Sequence, residues 1–530
     1  MGDPSSPMAP RDGTKEGSWL TAYPNFNQPH ASMADNSEAR FSSRLGLLLS
    51  VLGIAVGTGN IWRFPRIAAQ NGGDEGSGAF LIAWVIFLFA WSVPLIIAEY
   101  ALGRKGRMGV VGTFAKIAGQ RFGWMGAFIG FVAAAIMFYY SVVAGWCVFY
   151  FQEMLLNDLP MTLEASQGVW DQFQSGGFPL VFHALAMLFG ALAVWKGVSS
   201  IERVNKVLIP ALLLIVLIAL GRTLTLDGAW EGIGFLFTPD WATLKNPRTW
   251  LEALTQNAWD TGAGWGLILT YGAYMQSKHG VVKNALITGI GNNTVSILAA
   301  IIIFGTVFAI LGAEMSKPEV LEVMQTSGPA ATGLTFIWMP QLFARMPAGS
   351  LFAVLFFLGL SFAAFSSLIS MIELSTRIFV DLGLKRRHAI AGVCIAGFVF
   401  GMPSALYLGF FENQDFVWGV ALMLCGAFVA FAVIRYGPTR FRTENIDGLP
   451  NDWNAGRPWD TVIGYLIPLL AVVLLVWWLW LSATEYAPDT WFDPTDAFSV
   501  MTCLVQWGAV LVVLILCNRF LVQRTLSSHL

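Results

Sequence analysis

Apolar runs long enough to cross a bilayer recur along almost the whole chain, and this limits the fold more than any other feature. A hydrocarbon core of about 30 Å needs roughly 20 apolar residues in helical form. Within it every backbone N–H and C=O must be paired inside the protein, so long apolar runs pack as a bundle of helices. Hydropathy places twelve spans, at about 45–70, 79–103, 124–156, 178–197, 205–222, 250–276, 282–312, 348–380, 388–408, 415–436, 461–483 and 497–520. An all-α polytopic membrane protein is expected, as suits 530 residues that are 56% hydrophobic and 12% charged. A net charge of -2 indicates no nucleic-acid partner. The five cysteines all lie in apolar runs and read as packed thiols, not as disulfides or a metal set. Residues 1–40 are polar and rich in Pro, Gly and Ser, which predicts a disordered tail and no signal peptide.

Basic residues set the orientation. They fill the loops after span 2 (Arg104, Lys105, Arg107, Lys116, Arg121), span 4 (Lys196, Arg203, Lys206), span 8 (Lys385, Arg386, Arg387) and span 10 (Arg435, Arg440, Arg442). The loops after spans 3 and 11 are acidic, with Asp158, Glu164 and Asp171, then Glu485, Asp489, Asp493 and Asp496. Both termini are therefore expected in the cytoplasm. The long outer connection 313–347, apolar at Leu334–Phe343 and interrupted by Gly328-Pro329, is expected to fold as a short helical lid.

Two spans are broken. In span 1, three glycines, Gly53, Gly57 and Gly59, cluster in Gly53-Ile54-Ala55-Val56-Gly57-Thr58-Gly59-Asn60. Each costs about 0.5–1 kcal/mol relative to Ala in a helix interior, so the cluster favours local unwinding. Close packing of helices by small residues uses a spacing of four. The closer Gly57–Gly59 pair followed by Asn60 points instead to a binding site, where freed carbonyls hold a cation and freed amides an anionic group. Span 6 is interrupted at Trp259-Asp260-Thr261-Gly262-Ala263-Gly264-Trp265-Gly266, and five spans separate the two breaks. Matching discontinuous helices mark an inverted repeat with its site where the breaks meet. The organisation expected is a tail at 1–40, a first five-helix repeat at 41–222, a second at 223–436, and peripheral spans at 437–530.

These residues closely resemble the neurotransmitter:sodium symporter family, bacterial branch. The likeness is carried by Arg44-Leu45-Gly46, Gly57-Thr58-Gly59-Asn60-Ile61-Trp62-Arg63-Phe64-Pro65 and Asn71-Gly72-Gly73. It continues through Tyr139-Tyr140, Gln256 to Gly266, Asn292, Ser366-Ser367 and Asp415, covering spans 1 to 10. The resemblance implies a LeuT-type fold with a 5+5 inverted repeat, and sodium-coupled uptake of amino acids or related amines by alternating access. It implies a first sodium site at Ala55, Asn60, Asp260 and Asn292, and a second at Gly53, Val56, Ala363, Ser366 and Ser367. Oxygen ligands of this kind suit a small hard cation. The substrate pocket it implies comprises Ala55, Gly57, Thr58, Gly59, Ile136, Tyr140, Trp259, Gly262, Trp265, Ser367 and Met371. Arg63 and Asp415 match the outer gate pair and Asp381 the acidic half of the inner gate. The usual inner arginine position holds Glu38, so Arg40 is the nearest basic partner. Short loops and a missing outer-loop cysteine pair resemble bacterial members of the inner plasma membrane.

The departures carry information. Amine-transporting relatives place an acidic residue where this chain has Gly57, so a substrate bringing its own carboxylate, an α-amino acid, is expected. Ile136, Trp265 and Met371 beside Gly262-Ala263-Gly264 suggest a neutral hydrophobic or aromatic side chain. In chloride-dependent members a Tyr and a hydroxyl residue help surround the anion; here those positions are Trp84 and Asp260, while Gln256 and Ser296 are kept. Asp260 is therefore read as a fixed negative charge in place of chloride, which would then not be required. Two unit charges ~4 Å apart attract by about 4 kcal/mol at an effective dielectric near 20. An alternative is that Asp260 pairs a cationic amino acid or amine. A transport-inactive amino-acid sensor on the same scaffold and an ion channel are the competing classes. A channel needs a continuous polar pore, and this chain has two localised breaks. Lone His183 in an apolar span reads as a satisfied structural group.

Overall fold

In the computed structural model, residues 40–325 and 333–529 are described. The expected tail and Glu38, with Gly328-Pro329 of the outer connection, lie outside them. Nine described helices are long and apolar enough to cross a membrane: Gly78–Gly106, Gln120–Leu156, Val198–Thr223, Val282–Leu311, Gly349–Asp381, Arg386–Leu406, Leu408–Tyr436, Arg457–Tyr486 and Val500–Ser527. These are spans 2, 3, 5 and 7 to 12. Span 1 is the pair Arg44–Ala55 and Thr58–Gln70, bent by 46°. Span 4 is Phe178–Val194, and span 6 is the pair Pro247–Asp260 and Leu267–Ala273.

Several boundaries move from their expected places. Span 5 begins at Val198 instead of 205, because Glu202 at its charged start is buried as an acceptor for the segment preceding span 1. Span 10 begins at Leu408, which puts Asp415 inside the helix. In the outer connection, helices at Lys317–Gln325 and Leu334–Trp338 lie against the second half of span 1, and Met339–Ala344 packs beside them on span 8. The Gln325 side chain donates to the Ala69 carbonyl at 3.0 Å, and Lys317 donates to that of Asp74 at 3.0 Å. His183 meets the Phe398 carbonyl at 3.1 Å and stacks on its ring, a structural contact. The cysteines are free, as expected, but Cys517 is exposed and only Cys147, Cys425 and Cys503 are fully buried.

Unwound backbone is confined to short stretches, and each is paired. In span 1 the helix stops only at Val56-Gly57, so Gly53 and Gly59 remain helical. The Asn60 side chain caps the second half by accepting the Gly57 N–H at 2.8 Å. In span 6, Gly262, Gly264 and Gly266 have φ of +65°, +89° and +77°. This is the left-handed region that glycine enters without steric cost. The turned backbone aims two N–H groups at Glu99 of span 2, at 2.9 Å from Gly264 and 2.6 Å from Gly266. Glu99 is fully buried, so these bonds supply the pairing that a carboxyl at this depth requires.

A Cβ on Gly264 would lie 2.7 Å from the Gly426 Cα, in a backbone conformation already closed to other residues. Gly264→Ala is expected to destabilise the protein by about 1–3 kcal/mol. Thermal denaturation of the purified protein in detergent would show this as a lowered midpoint; an unchanged midpoint would show that span 6 follows another path.

Candidate functional site

The two breaks face one another across a cavity of about 400 Å³. Every residue read from the sequence as a substrate contact lines it: Ala55, Gly57, Thr58 and Gly59 of span 1, Ile136 and Tyr140 of span 3, Trp259, Gly262 and Trp265 of span 6, and Ser367 and Met371 of span 8. The Tyr140 hydroxyl stands at the start of the second half of span 1. It accepts from the Thr58 N–H at 3.4 Å and from the Thr58 hydroxyl at 3.2 Å. Gly57 is closely approached: a Cβ there would lie 3.0 Å from Ser367 Oγ and 3.3 Å from the Tyr140 hydroxyl. One end of the cavity is therefore polar, with a helix N-terminus and two hydroxyls. Ile136, Val143, Trp265 and Met371 supply its apolar walls.

The cavity continues past Arg63 and Asp415 toward Arg66, Glu412 and Phe498, on the face that carries the acidic loops. Among the described residues Arg63 and Asp415 line this passage without forming an ion pair. The Arg63 guanidinium instead lies over the Trp259 ring, 4.8 Å from its centroid. Trp259 also rests on Gly419 of span 10, where a Cβ would meet its ring at 2.2 Å. Gly419 thus makes space for the indole, a pairing between distant spans that one sequence does not disclose.

Two groups of oxygen atoms flank the cavity. In the first, one atom of the Asn292 amide group lies 2.9 Å from the Ala55 carbonyl oxygen and 3.2 Å from that of Asp260. With nitrogen there it donates to both. With oxygen there three carbonyl oxygens converge, an arrangement that a small cation makes favourable. Asn60 joins through its amino group, which donates to Asn292 Oδ1 at 2.8 Å and to Ser296 Oγ at 2.7 Å. Its oxygen is taken by the Gly57 N–H. Asp260 is buried, and its carboxylate accepts from Gln256 at 2.7 Å. Its other oxygen lies 3.3 Å from the position of a Cβ on Gly59.

The second group draws spans 1 and 8 together. The Ser366 hydroxyl stands 2.9 Å from the Ala363 carbonyl and 3.5 Å from that of Val56. The Ser367 hydroxyl is 3.3 Å from the carbonyls of both Gly53 and Ile54. All five groups expected from the sequence are thus brought side by side, and the Ile54 carbonyl joins them. The donor set contains oxygen alone, hard and uncharged, and it fits an alkali cation better than a transition metal.

Toward the basic face the site is sealed. The Phe41 N–H donates to the Tyr274 carbonyl at 3.2 Å, and Gln276 donates to the Phe41 carbonyl at 2.6 Å. Tyr274 donates to buried Glu373 at 2.7 Å, and Arg386 pairs with the same carboxylate. Asp381, expected to meet Arg40, has further partners on this face. Asp381 is held by Arg377, one turn earlier on its own helix, at 2.7 Å. It also accepts the Gly109 N–H at 2.6 Å and meets His529 at 3.2 Å. Arg40 is exposed at the start of the described chain. The i, i+4 spacing of Arg377 and Asp381 was visible in the sequence and is a natural helix pair.

The Sodium:neurotransmitter symporter family profile matches residues 38–174 and 178–525. An uncharacterized sodium-dependent transporter of Bacillus subtilis is 28% identical over 470 residues, covering 84% of this chain and 98% of its own. One from Methanocaldococcus jannaschii is 30% identical over 466 residues, covering 82% and 89%. The sodium- and chloride-dependent taurine transporter of Bos taurus is 27% identical over 544 residues, covering 91% and 84%. Among solved structures, MhsT in complex with L-phenylalanine superposes with a TM-score of 0.70 at 28% identity, covering 82% of this chain and 99% of that one. The chain therefore belongs to the sodium:neurotransmitter symporter family, and is a multi-pass sodium-dependent transporter with the LeuT-type fold, not an enzyme.

Proposed function

We propose that this protein takes up a neutral, apolar or aromatic L-amino acid by sodium-coupled alternating access. The observation that carries the reading is the polar end of the cavity. The amides of the span 1 break and the Tyr140 hydroxyl meet there beside a glycine, Gly57, that leaves no acidic partner for a free amine. A substrate carboxylate suits that end, and the Ile136, Trp265 and Met371 walls suit an apolar side chain. The binding of L-phenylalanine by MhsT supports the same size class. The acidic loops then lie outside and both termini in the cytoplasm of a plasma membrane. The parted Arg63 and Asp415 leave the cavity reachable from outside, and their approach over Trp259 would enclose the substrate.

Two sodium ions fit this reading. The second would sit among Gly53, Val56, Ala363, Ser366 and Ser367. The first would sit among Ala55, Asn292 and Asp260, with Asn60 turning its oxygen inward. Asp260 would supply beside that ion the negative charge that chloride supplies elsewhere. A second reading rests on the same residue: Asp260 lines the cavity, so a cationic amino acid could pair with it.

Uptake of labelled phenylalanine into proteoliposomes is expected under an inward sodium gradient, to vanish in choline, and to persist when gluconate replaces chloride. Best competition by lysine or arginine would transfer the assignment to the cationic reading. Asp260→Ser is expected to make uptake chloride-dependent, and uptake by this variant that stayed indifferent to chloride would refute the charge substitution. Ser366→Ala removes one of five oxygen groups. The sodium concentration for half-maximal uptake is expected to rise roughly tenfold, about 1.4 kcal/mol. An unchanged sodium dependence would exclude this hydroxyl from the ion site.

A further inference from the structure

One contact beside the cavity belongs neither to its polar end nor to the two oxygen groups. Gly419 stands well inside the span 10 helix, Leu408–Tyr436, and its φ is not positive. Glycine weakens a helix interior relative to alanine, and nothing in this backbone requires it. What does use the bare Cα is the far edge of the Trp259 indole. A Cβ on Gly419 would lie 2.2 Å from Trp259 Cζ2, 3.0 Å from Cη2 and 3.3 Å from Cε2. The ring edge therefore fills the volume that an alanine methyl would take.

Two other directions are closed to the indole. The Arg63 guanidinium covers one face, 4.8 Å from its centroid, and Trp265 meets it edge-on with centroids 5.7 Å apart. Trp259, Trp265 and Gly419 all line the cavity. A ring pushed out of the span 10 recess thus moves into the space where a substrate side chain would lie. A Cβ at Gly419 would drive it there by roughly 1 Å before contact relaxes to about 3.5 Å. The three atoms nearest to that Cβ all belong to Trp259 and none to the polar end, so the change falls on side-chain size.

We propose that Gly419 determines specificity: by housing the edge of Trp259 it sets the largest side chain that the cavity accepts. With the recess open an aromatic amino acid fits; with it filled the preference passes to a smaller aliphatic one. The inference rests on the amino-acid reading above. Gly419 acts through Trp259, as a positioning residue. A misfit of one methylene in an apolar pocket discriminates between substrates by about 10–200-fold, so a shift of this size is measurable.

The test uses the full chain in proteoliposomes and compares sodium-driven uptake of labelled phenylalanine and leucine by the same preparation. The ratio of their kcat/KM values does not depend on how much of the protein is folded, so a merely structural defect leaves it unmoved. Gly419→Ala is expected to lower the phenylalanine-to-leucine ratio roughly tenfold, chiefly by raising KM for phenylalanine. Adding Trp259→Phe, a smaller ring that clears the methyl, is expected to return the ratio to within about threefold of wild type. A ratio within about twofold of wild type in Gly419→Ala would overturn the proposal, as would failure of the second substitution to restore it. Should Gly419→Ala give no uptake of either amino acid, Trp259→Phe alone decides. It vacates the recess and is expected to raise the tryptophan-to-phenylalanine ratio at least about threefold; an unchanged ratio would overturn the proposal. If the wild type takes up neither phenylalanine nor leucine, the amino-acid reading falls and the size filter with it.

Discussion

Backbone that leaves the helix at membrane depth has to be paired by something fixed, and this requirement shapes everything at the centre of the molecule. Span 6 meets it with Glu99, whose two carboxylate oxygens take the Gly264 and Gly266 N–H groups. Span 1 meets it with Asn60, which caps its own second half. The groups left over are carbonyls on one side and a helix N-terminus on the other. The unwound segments therefore have opposite polarity at their two edges.

The apolar part of the cavity depends on contacts between distant spans. Trp259 occupies its place because Gly419 is bare and because the Arg63 guanidinium lies over its face. The Arg63 guanidinium is thus coupled to the wall of the cavity through one aromatic ring. Cation–π contacts of this kind contribute about 0.5–2 kcal/mol, depending on desolvation. That is enough to bias Trp259 without fixing it.

Much of this was legible in the chain. The two glycine-rich interruptions located both breaks, because glycine clusters inside apolar runs have few other uses. The oxygen groups of span 8 followed from Ser366-Ser367 once the first break was recognised. What escaped was pairwise and non-local. Glu99 did announce itself as a carboxylate in an apolar run, but its partners across the bundle were not deducible. Gly419 is an ordinary residue until the helix opposite is known. At the basic face the helical spacing of Arg377 and Asp381 announces their pairing, whereas the Gly109 and His529 contacts of Asp381 come from distant parts of the chain. Span 5 was placed late because its first turns are charged, although those charges are buried against the segment before span 1.

The placement of charge at the basic face has a consequence for how that face can open. Arg377 with Asp381, and Lys206 with Glu202, are pairs within single helices. Each of these two pairs can travel with its helix as a neutral unit, whereas the Arg386–Glu373 pair joins span 8 to the start of span 9. The segment before span 1 is held by hydrogen bonds at Phe41, Ser42 and Ser43. Their strength falls off within a fraction of an ångström and depends little on dissolved salt. Such a closure behaves as a mechanical catch: it releases over a short travel, and the ionic composition of the surrounding solution has little hold on it.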